Sequence, residues 1–411
     1  MAGLLALGFS AGLPLLLTSK TLQAWMTIEG VDLKTIGLFS LVGLPYSLKF
    51  LWSPFLDRYL PPFLGRRRGW IALAQVGLAL AIFLMSLCSP TQGIERLAFF
   101  AILVAFLSAS QDIAVDAYRA DVLESREMGA GAAIYVLGYR VAMLAAGSAA
   151  LILADHLPWA WVYRLAALTM LAVVAASALA PEPAYRERPP ETLSAAVIEP
   201  FADFFKRSGW QGAAILGFIV IYKFGDYLIS NMTTPFLLKT GFTQTDVGAI
   251  QGGVGLLATI VGALAGGAMV NRLGINRSLW VFGFLQAASN LTYYSLSLFP
   301  AYWWMVGTIV IENLCGGLVT AGFVAFMMCL CSPRYSATQY ALLTSLMALS
   351  RDILVSPAGA IAQATGWPSF FLITIAAAVP GMALIPVFAP WNKDEPLGAA
   401  PHEGAGQAAS S

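Results

Sequence analysis

Runs of about 20 residues with no charged side chain leave a chain few ways to fold, because that length matches a helix crossing the bilayer hydrocarbon. Three such runs are free of charge throughout: Trp70 to Cys88, Val247 to Val270 and Ser278 to Leu298. Eight more carry one or two charges: Leu4 to Met26, Ile36 to Leu56, Leu97 to Ala117, Gly129 to Ala154, Arg164 to Ala180, Gly212 to Leu238, Ala301 to Leu330 and Ala337 to Thr365. A last run, Trp367 to Ala389, is charge-free but contains prolines. The pattern predicts an all-α membrane protein with twelve transmembrane helices. Composition agrees: 58% of the 411 residues are hydrophobic and 11% are charged. So few charges cannot cover a soluble surface of this size, which excludes a soluble enzyme, a nucleic-acid binder and a disordered chain.

Lys and Arg give the orientation. With both termini inside, the even connections and the C-terminal tail hold fourteen of the 23 Lys/Arg, and the odd connections hold three: Lys34, Arg96 and Lys239. That asymmetry follows the positive-inside rule. The expected organisation is a six-helix bundle over 1–180, a cytoplasmic linker over 181–210, a second bundle over 211–389 and a disordered tail over 390–411. The linker is rich in proline and mixed charge, with one surface helix expected at Ser194 to Arg207. The chain starts close to its first apolar run, which has neither a basic region before it nor a cleavage site after it, so it reads as a membrane helix.

The halves repeat. Leu33 to Gly37 precedes helix 2 and Gln244 to Gly248 precedes helix 8, with the glycines 211 positions apart. Arg140 in helix 5 and Arg351 in helix 11 share that offset. The 2–3 connection carries Asp57, Arg58, Arg66, Arg67 and Arg68; the 8–9 connection carries Asn271, Arg272 and Arg277. These resemble the gating loop motif Gly-x3-Asp-Arg-x-Gly-Arg-Arg of major-facilitator transporters, with Asn271 in place of Asp and extra residues Leu60 to Leu64 in the first copy. Two pseudo-symmetric six-helix halves are the parallel-repeat architecture of that superfamily.

Ionisable residues inside spanning helices cost at least about 2.5 kcal/mol each on insertion scales and face cavities or partners. By depth, Arg140, Lys223, Asp226 and Glu312 fall near the midplane, and Arg351 and Asp352 slightly outside it. Asp112 and Asp116 are spaced i, i+4, which puts both on one face of helix 4, with Lys49 at similar depth. Buried carboxylates can carry protons and buried cations can hold an anionic substrate; the competing reading is that these charges pair and hold helices together. Gln23, Trp25, Gln111 and Asn313 are further candidates for contact with a hydroxyl-rich ligand, against interhelical hydrogen bonding as the plainer role. The glycines at 252, 253, 255, 266 and 267 are expected at close helix contacts, not in a phosphate loop. Cys329 and Cys331 have no second ligand pair beside them, and His156 and His402 lie in polar connections, so neither a metal nor a cofactor is expected.

Several segments resemble the AmpG muropeptide permease family of the major facilitator superfamily. They are Gly8-Phe-Ser-Ala-Gly-Leu-Pro14, Thr21-Leu-Gln-Ala-Trp-Met26, Lys49-Phe-Leu-Trp-Ser-Pro54, Gly65-Arg-Arg-Arg-Gly-Trp70, Ser108-Ala-Ser-Gln-Asp-Ile113 and Gly129-Ala-Gly-Ala-Ala133. The resemblance implies a non-enzymatic importer of N-acetylglucosaminyl-1,6-anhydro-N-acetylmuramic acid and its peptides. It would run from periplasm to cytoplasm across the bacterial inner membrane, driven by protons. That step serves cell-wall recycling and feeds the signal for β-lactamase induction. Partners would be the muropeptide, protons and membrane lipid, with no nucleic acid and a monomeric state; helices 1, 4, 7 and 10 would line a central cavity. Substrate contacts would come from Gln23, Trp25, Lys49, Gln111, Arg140, Lys223, Asn313 and Arg351. For proton coupling the expected order is Asp112 and Asp116, then Asp226, then Glu312, with Asp352 also a candidate. The rival reading is an exporter or antiporter of other amphipathic or anionic solutes; helix 5 contains no proline and so lacks the Gly-Pro-Gly-Gly motif of drug antiporters.

Overall fold

The structure is a computed structural model that describes residues 2–58, 61, 64–122, 128–178, 204–331 and 336–393. Among these residues the regular structure is helical. In the first half the helices are α1 (Ala2–Leu17), α2 (Lys20–Ile28), α3 (Leu33–Leu38), α4 (Leu44–Leu48), α5 (Ser53–Arg58), α6 (Arg66–Met85), α7 (Ile94–Val122), α8 (Met128–Met143), α9 (Ala150–Ala154) and α10 (Trp159–Ala178). In the second half they are α11 (Gln211–Ile221), α12 (Phe224–Lys239), α13 (Gln244–Val247), α14 (Gly255–Leu273), α15 (Ile275–Leu298), α16 (Tyr302–Leu330), α17 (Ser336–Leu354), α18 (Ala358–Thr365) and α19 (Trp367–Phe388). Of the expected surface helix, residues 204–208 are helical and the earlier part lies outside the described residues, as does the tail after Lys393.

Nine helical segments among the described residues are long and apolar enough to cross a membrane. The other three expected helices are present with a different character. Helix 2 is broken into α3, α4 and α5 with tight turns of 3-10 helix between them; Pro45 and Pro54, which lack the amide hydrogen that an unbroken helix needs, sit at two of the restarts. Helix 9 is the 24-residue α15, whose Asn276, Arg277, Gln286 and Asn290 make it more polar. Helix 11 is split into α17 and α18 at Pro357. Helices 1 and 7 are interrupted too, after Leu17 and at Tyr222-Lys223.

Contacts group the chain into two units: Met1–Pro189 with Ser230–Val254 and Asp352–Trp367, and Pro190–Ile229 with Gly255–Arg351 and Pro368–Ser411. In the first unit α1 and α8 cross on glycine. A Cβ on Gly8 would collide with the Tyr135 carbonyl, and one on Gly138 with that of Leu5. Backbones that approach this closely gain dispersion and weak polar contact where lipid offers no hydrophobic driving force. In the second unit α14 and α16 do the same through Gly262, Gly266 and Gly317. Of the glycines expected at close contacts, Gly252, Gly255 and Gly266 meet neighbours; Gly253 and Gly267 have nothing within 4 Å.

The 211-residue repeat reappears as a duplicated contact inside the first unit. Gly37 packs on Ser356 and Gly359, and Gly248 packs on Ser148 and Leu151. The pairs Gly37/Gly248 and Ser148/Gly359 are each 211 apart, so one packing solution is used twice. Equivalent amides are anchored beside it: Lys34 N donates to Gln363 Oε1 (3.2 Å), and Thr245 N to Asp155 Oδ2 (2.6 Å). The residues just before them cap the helices, Asp32 accepting from Thr35 N and Thr243 from Asp246 N. At the Ser148 contact both partners widen into π-helix, Leu144–Ala149 and Gly248–Val254, the kind of irregularity often found at functional positions.

Candidate functional site: the polar groups within the helices

In the first unit the candidates separate by environment. Trp25 is buried, stacked on Trp159 at 6.1 Å and tilted against Tyr163 at 5.0 Å, so its ring is engaged by protein. Gln111 is fully buried and its Nε2 donates to Ser10 Oγ at 2.7 Å; Gln75 donates to the same oxygen at 3.0 Å. That node joins α1, α6 and α7 and is interhelical glue. Gln23 is buried on α2, its Oε1 receiving no hydrogen bond among the described residues. Lys49 and Asp116 form a loose ion pair at 3.9 Å with side chains 38% and 50% exposed, an arrangement worth little in stability. Asp112 lies within electrostatic reach of the buried Tyr46. Lys20 donates to the carbonyl of Ser230.

Arg140 is exposed and reaches only Met143 Sδ, at 3.9 Å; among the described residues it forms no ion pair. Asp352 is buried, accepting from Ser47 Oγ at 2.9 Å, while its carbonyl accepts from Ser40 Oγ. A Cβ on Gly43 would come within 3.1 Å of that carboxyl, so glycine is what admits it.

In the second unit the helix 7 interruption places Lys223 between α11 and α12. Its Nζ lies 3.6 Å from Asp226 Oδ2, donates to Thr320 Oγ1 at 3.1 Å and sits 5.5 Å from the Tyr227 ring centroid. The Lys223 and Asp226 side chains are 11% and 13% exposed. Asp226 Oδ1 accepts from Gln286 Nε2 at 2.6 Å. The i, i+3 spacing predicts the Lys223–Asp226 pair; it does not predict Gln286, whose one sequence signal is that it shares a face of α15 with Asn290 at i, i+4. A small pocket lies here, lined by Lys223, Asp226, Gln286 and Asn290 with apolar neighbours such as Ala378 and Met382.

Glu312 and Asn313 adjoin: Asn313 Nδ2 donates to Glu312 Oε2 at 2.8 Å, and Asn313 Oδ1 accepts from Thr259 Oγ1 at 3.0 Å, which ties α16 to α14. Arg351 is exposed in the last turn of α17. Of the loop-motif residues, Asp57 and Arg58 end α5 and Arg66 begins α6, their side chains lying outside the described residues; Arg67 and Arg68 are half-buried. Asn271 and Arg272 are exposed at the end of α14. Arg277 Nε donates to the carbonyl of Trp391 and Asn276 Nδ2 to that of Pro390, so this copy grips the chain just after α19. Gly65 and Gly274 cap α6 and α15 with φ of 80° and 78°, the left-handed backbone that explains a glycine in both copies.

Helices broken at polar residues, a largely buried ion pair inside a helical unit and a contact used twice are features of membrane transporters. The comparisons agree. The family model described as Major Facilitator Superfamily matches residues 2–352. An Escherichia coli K12 protein named anhydromuropeptide permease is 50% identical over 386 residues, covering 93% of this chain and 78% of its own. A Rickettsia conorii protein named putative transporter AmpG 4 is 33% identical, covering 92% and 94%. In fold, a solved POT family transporter in complex with 5-aminolevulinic acid matches with a TM-score of 0.72 at 12% identity, covering 95% and 96%. The chain belongs to the anhydromuropeptide permease family of the Major Facilitator Superfamily.

Proposed function

We propose that this protein carries anhydromuropeptides from periplasm to cytoplasm, coupled to proton entry, with both termini in the cytoplasm of a bacterial inner-membrane protein. The observation that carries the reading is the 50% identity over 93% of the chain to a protein named for that substrate. The site chemistry supports it. An anhydromuropeptide offers carboxylates and sugar hydroxyls; Arg140 offers an exposed guanidinium without an ion-pair partner among the described residues, and Lys223 an ammonium held by one carboxylate and one hydroxyl.

Proton coupling is assigned to Asp226 ahead of Asp112 and Asp116. Asp116 is half exposed, with Lys49 at 3.9 Å. Asp226 is largely buried, and its charge is held by Lys223 and Gln286. When a substrate carboxylate draws Lys223 away, Asp226 loses its cation in a poorly hydrated site, and taking up a proton becomes the favourable response. Substrate and proton thereby exchange one lysine between them.

The test is uptake of radiolabelled N-acetylglucosaminyl-1,6-anhydro-N-acetylmuramic acid into membrane vesicles, with and without an inward proton gradient. Accumulation that needs the gradient is expected; equal entry without it refutes the coupling, and no entry refutes the substrate. Orientation is tested by a Cys at Glu95 labelled from outside and a Cys at Asn271 labelled from inside.

A further inference from the structure

The charge on Asp226 has a second keeper that the exchange with Lys223 does not use. Gln286 is buried to 94% and Asn290 to 99%. Each spends its amide nitrogen on a protein acceptor: Gln286 on Asp226 Oδ1, Asn290 on Thr374 Oγ1 at 3.5 Å, while Thr374 donates onward to the Phe371 carbonyl. These bonds fix which end of each amide is the oxygen. Among the described residues neither amide oxygen receives a hydrogen bond, and both residues line the pocket that holds Asp226. Buried acceptors of this kind are satisfied by water where the space is polar and large enough, and this pocket has room for about one water.

We propose that Gln286 and Asn290 bind water against Asp226 inside the second unit, and that Gln286 is the positioning residue that sets the pH at which Asp226 takes and gives its proton. The proposal rests on the assignment of coupling to Asp226. The ligand class follows from the donor set. The two neutral oxygens and the carboxylate accept hydrogen bonds, and the nearby Lys223 ammonium disfavours a metal cation. Among the described residues, Tyr222, whose hydroxyl donates to the Leu279 carbonyl, and Cys315 on α16 also lie within electrostatic reach of Asp226, and Cys315 within that of Glu312. The cavity residues of α15 and α19 contribute no ionisable group. The water gives Asp226 a hydrogen-bond partner besides Lys223 in the pocket the two side chains share, so a proton can reach the carboxylate while substrate occupies the lysine.

The experiment uses the full chain in proteoliposomes and measures gradient-driven anhydromuropeptide uptake against pH, alongside substrate counterflow without a gradient. Gln286→Leu removes one donor to the carboxylate. Its uptake profile is expected to move about one unit to higher pH, because an anion that has lost a hydrogen bond holds its proton more tightly; counterflow is retained. Ala378→Leu fills the cavity without touching a polar group and is expected to cut gradient-driven uptake at least about tenfold, again with counterflow kept. Asn290→Leu is expected to resemble Ala378→Leu. If wild-type uptake ignores the gradient, the coupling reading itself has failed. If wild-type uptake follows the gradient and Gln286→Leu leaves the pH profile in place, the positioning role is wrong and coupling at Asp226 stands. If Asn290→Leu and Ala378→Leu both transport normally, the water site is wrong. Uptake that follows sodium instead of pH overturns the choice of ligand.

Discussion

Removing Lys223 while keeping Asp226 tests how strongly the helix 7 break depends on this pair. The charges are 3.6 Å apart with about nine-tenths of each side chain buried. At an effective dielectric of about 20 their attraction is about 4–5 kcal/mol. Desolvation of both groups offsets most of that, so the intact pair contributes little net stability. Breaking it is a different matter, because a lone buried charge is left, at a cost of about 3–5 kcal/mol. Gln286 still donates to Asp226 in Lys223→Met, which puts the expected loss at the low end, about 3 kcal/mol. Asp226→Asn together with Lys223→Met leaves no charge and should cost only about 1 kcal/mol. Adding Asp226→Asn to Lys223→Met should therefore recover about 2 kcal/mol of the loss, where independent effects would deepen it. Reversible unfolding in mixed micelles, followed by circular dichroism, measures it; counterflow affinity in the same variants reads the function. Additive single effects would show that the two charges do not sense each other, and the exchange of Lys223 between Asp226 and substrate would fall with them.

Gln111→Leu should leave substrate affinity unchanged and lower stability by about 1 kcal/mol, since Gln111 is fully buried and its amide nitrogen is spent on Ser10; a tenfold loss of affinity by counterflow competition would contradict this. Gly359→Leu and Gly248→Leu should perturb the protein alike, because each inserts a side chain into one copy of the duplicated contact; faster labelling of Cys replacements at Gln363 and Asp155, respectively, is the readout. Asp32→Ala should cost about 1 kcal/mol of cap stability at neutral pH. Hydrogen bonds from Thr35 hold the Asp32 carboxyl below its ordinary range. The cap's contribution is therefore present above that range and disappears as pH falls through the lowered value, which amide exchange at Thr35 follows.

Much of this protein is legible in its sequence. Apolar run length and the scarcity of charge fix a helical membrane protein, because an unpaired backbone cannot be left in hydrocarbon. The 211-residue offset was readable as matching glycines, and the structure makes it a physical duplication at Gly37 and Gly248. The i, i+3 pairing of Lys223 with Asp226 follows from helix geometry alone. What each side chain faces does not follow. A helix that is apolar on every side carries no moment to orient it, so the sequence presents Trp25, Gln111 and Arg140 as equal candidates. Packing then covers the first with Trp159 and Tyr163, spends the second on Ser10 and leaves the third exposed. The interruption that frees Lys223 and the approach of Gln286 to Asp226 join residues 60 positions apart. Only the tertiary structure decides such contacts, because they depend on where whole helices cross and not on any local rule of spacing.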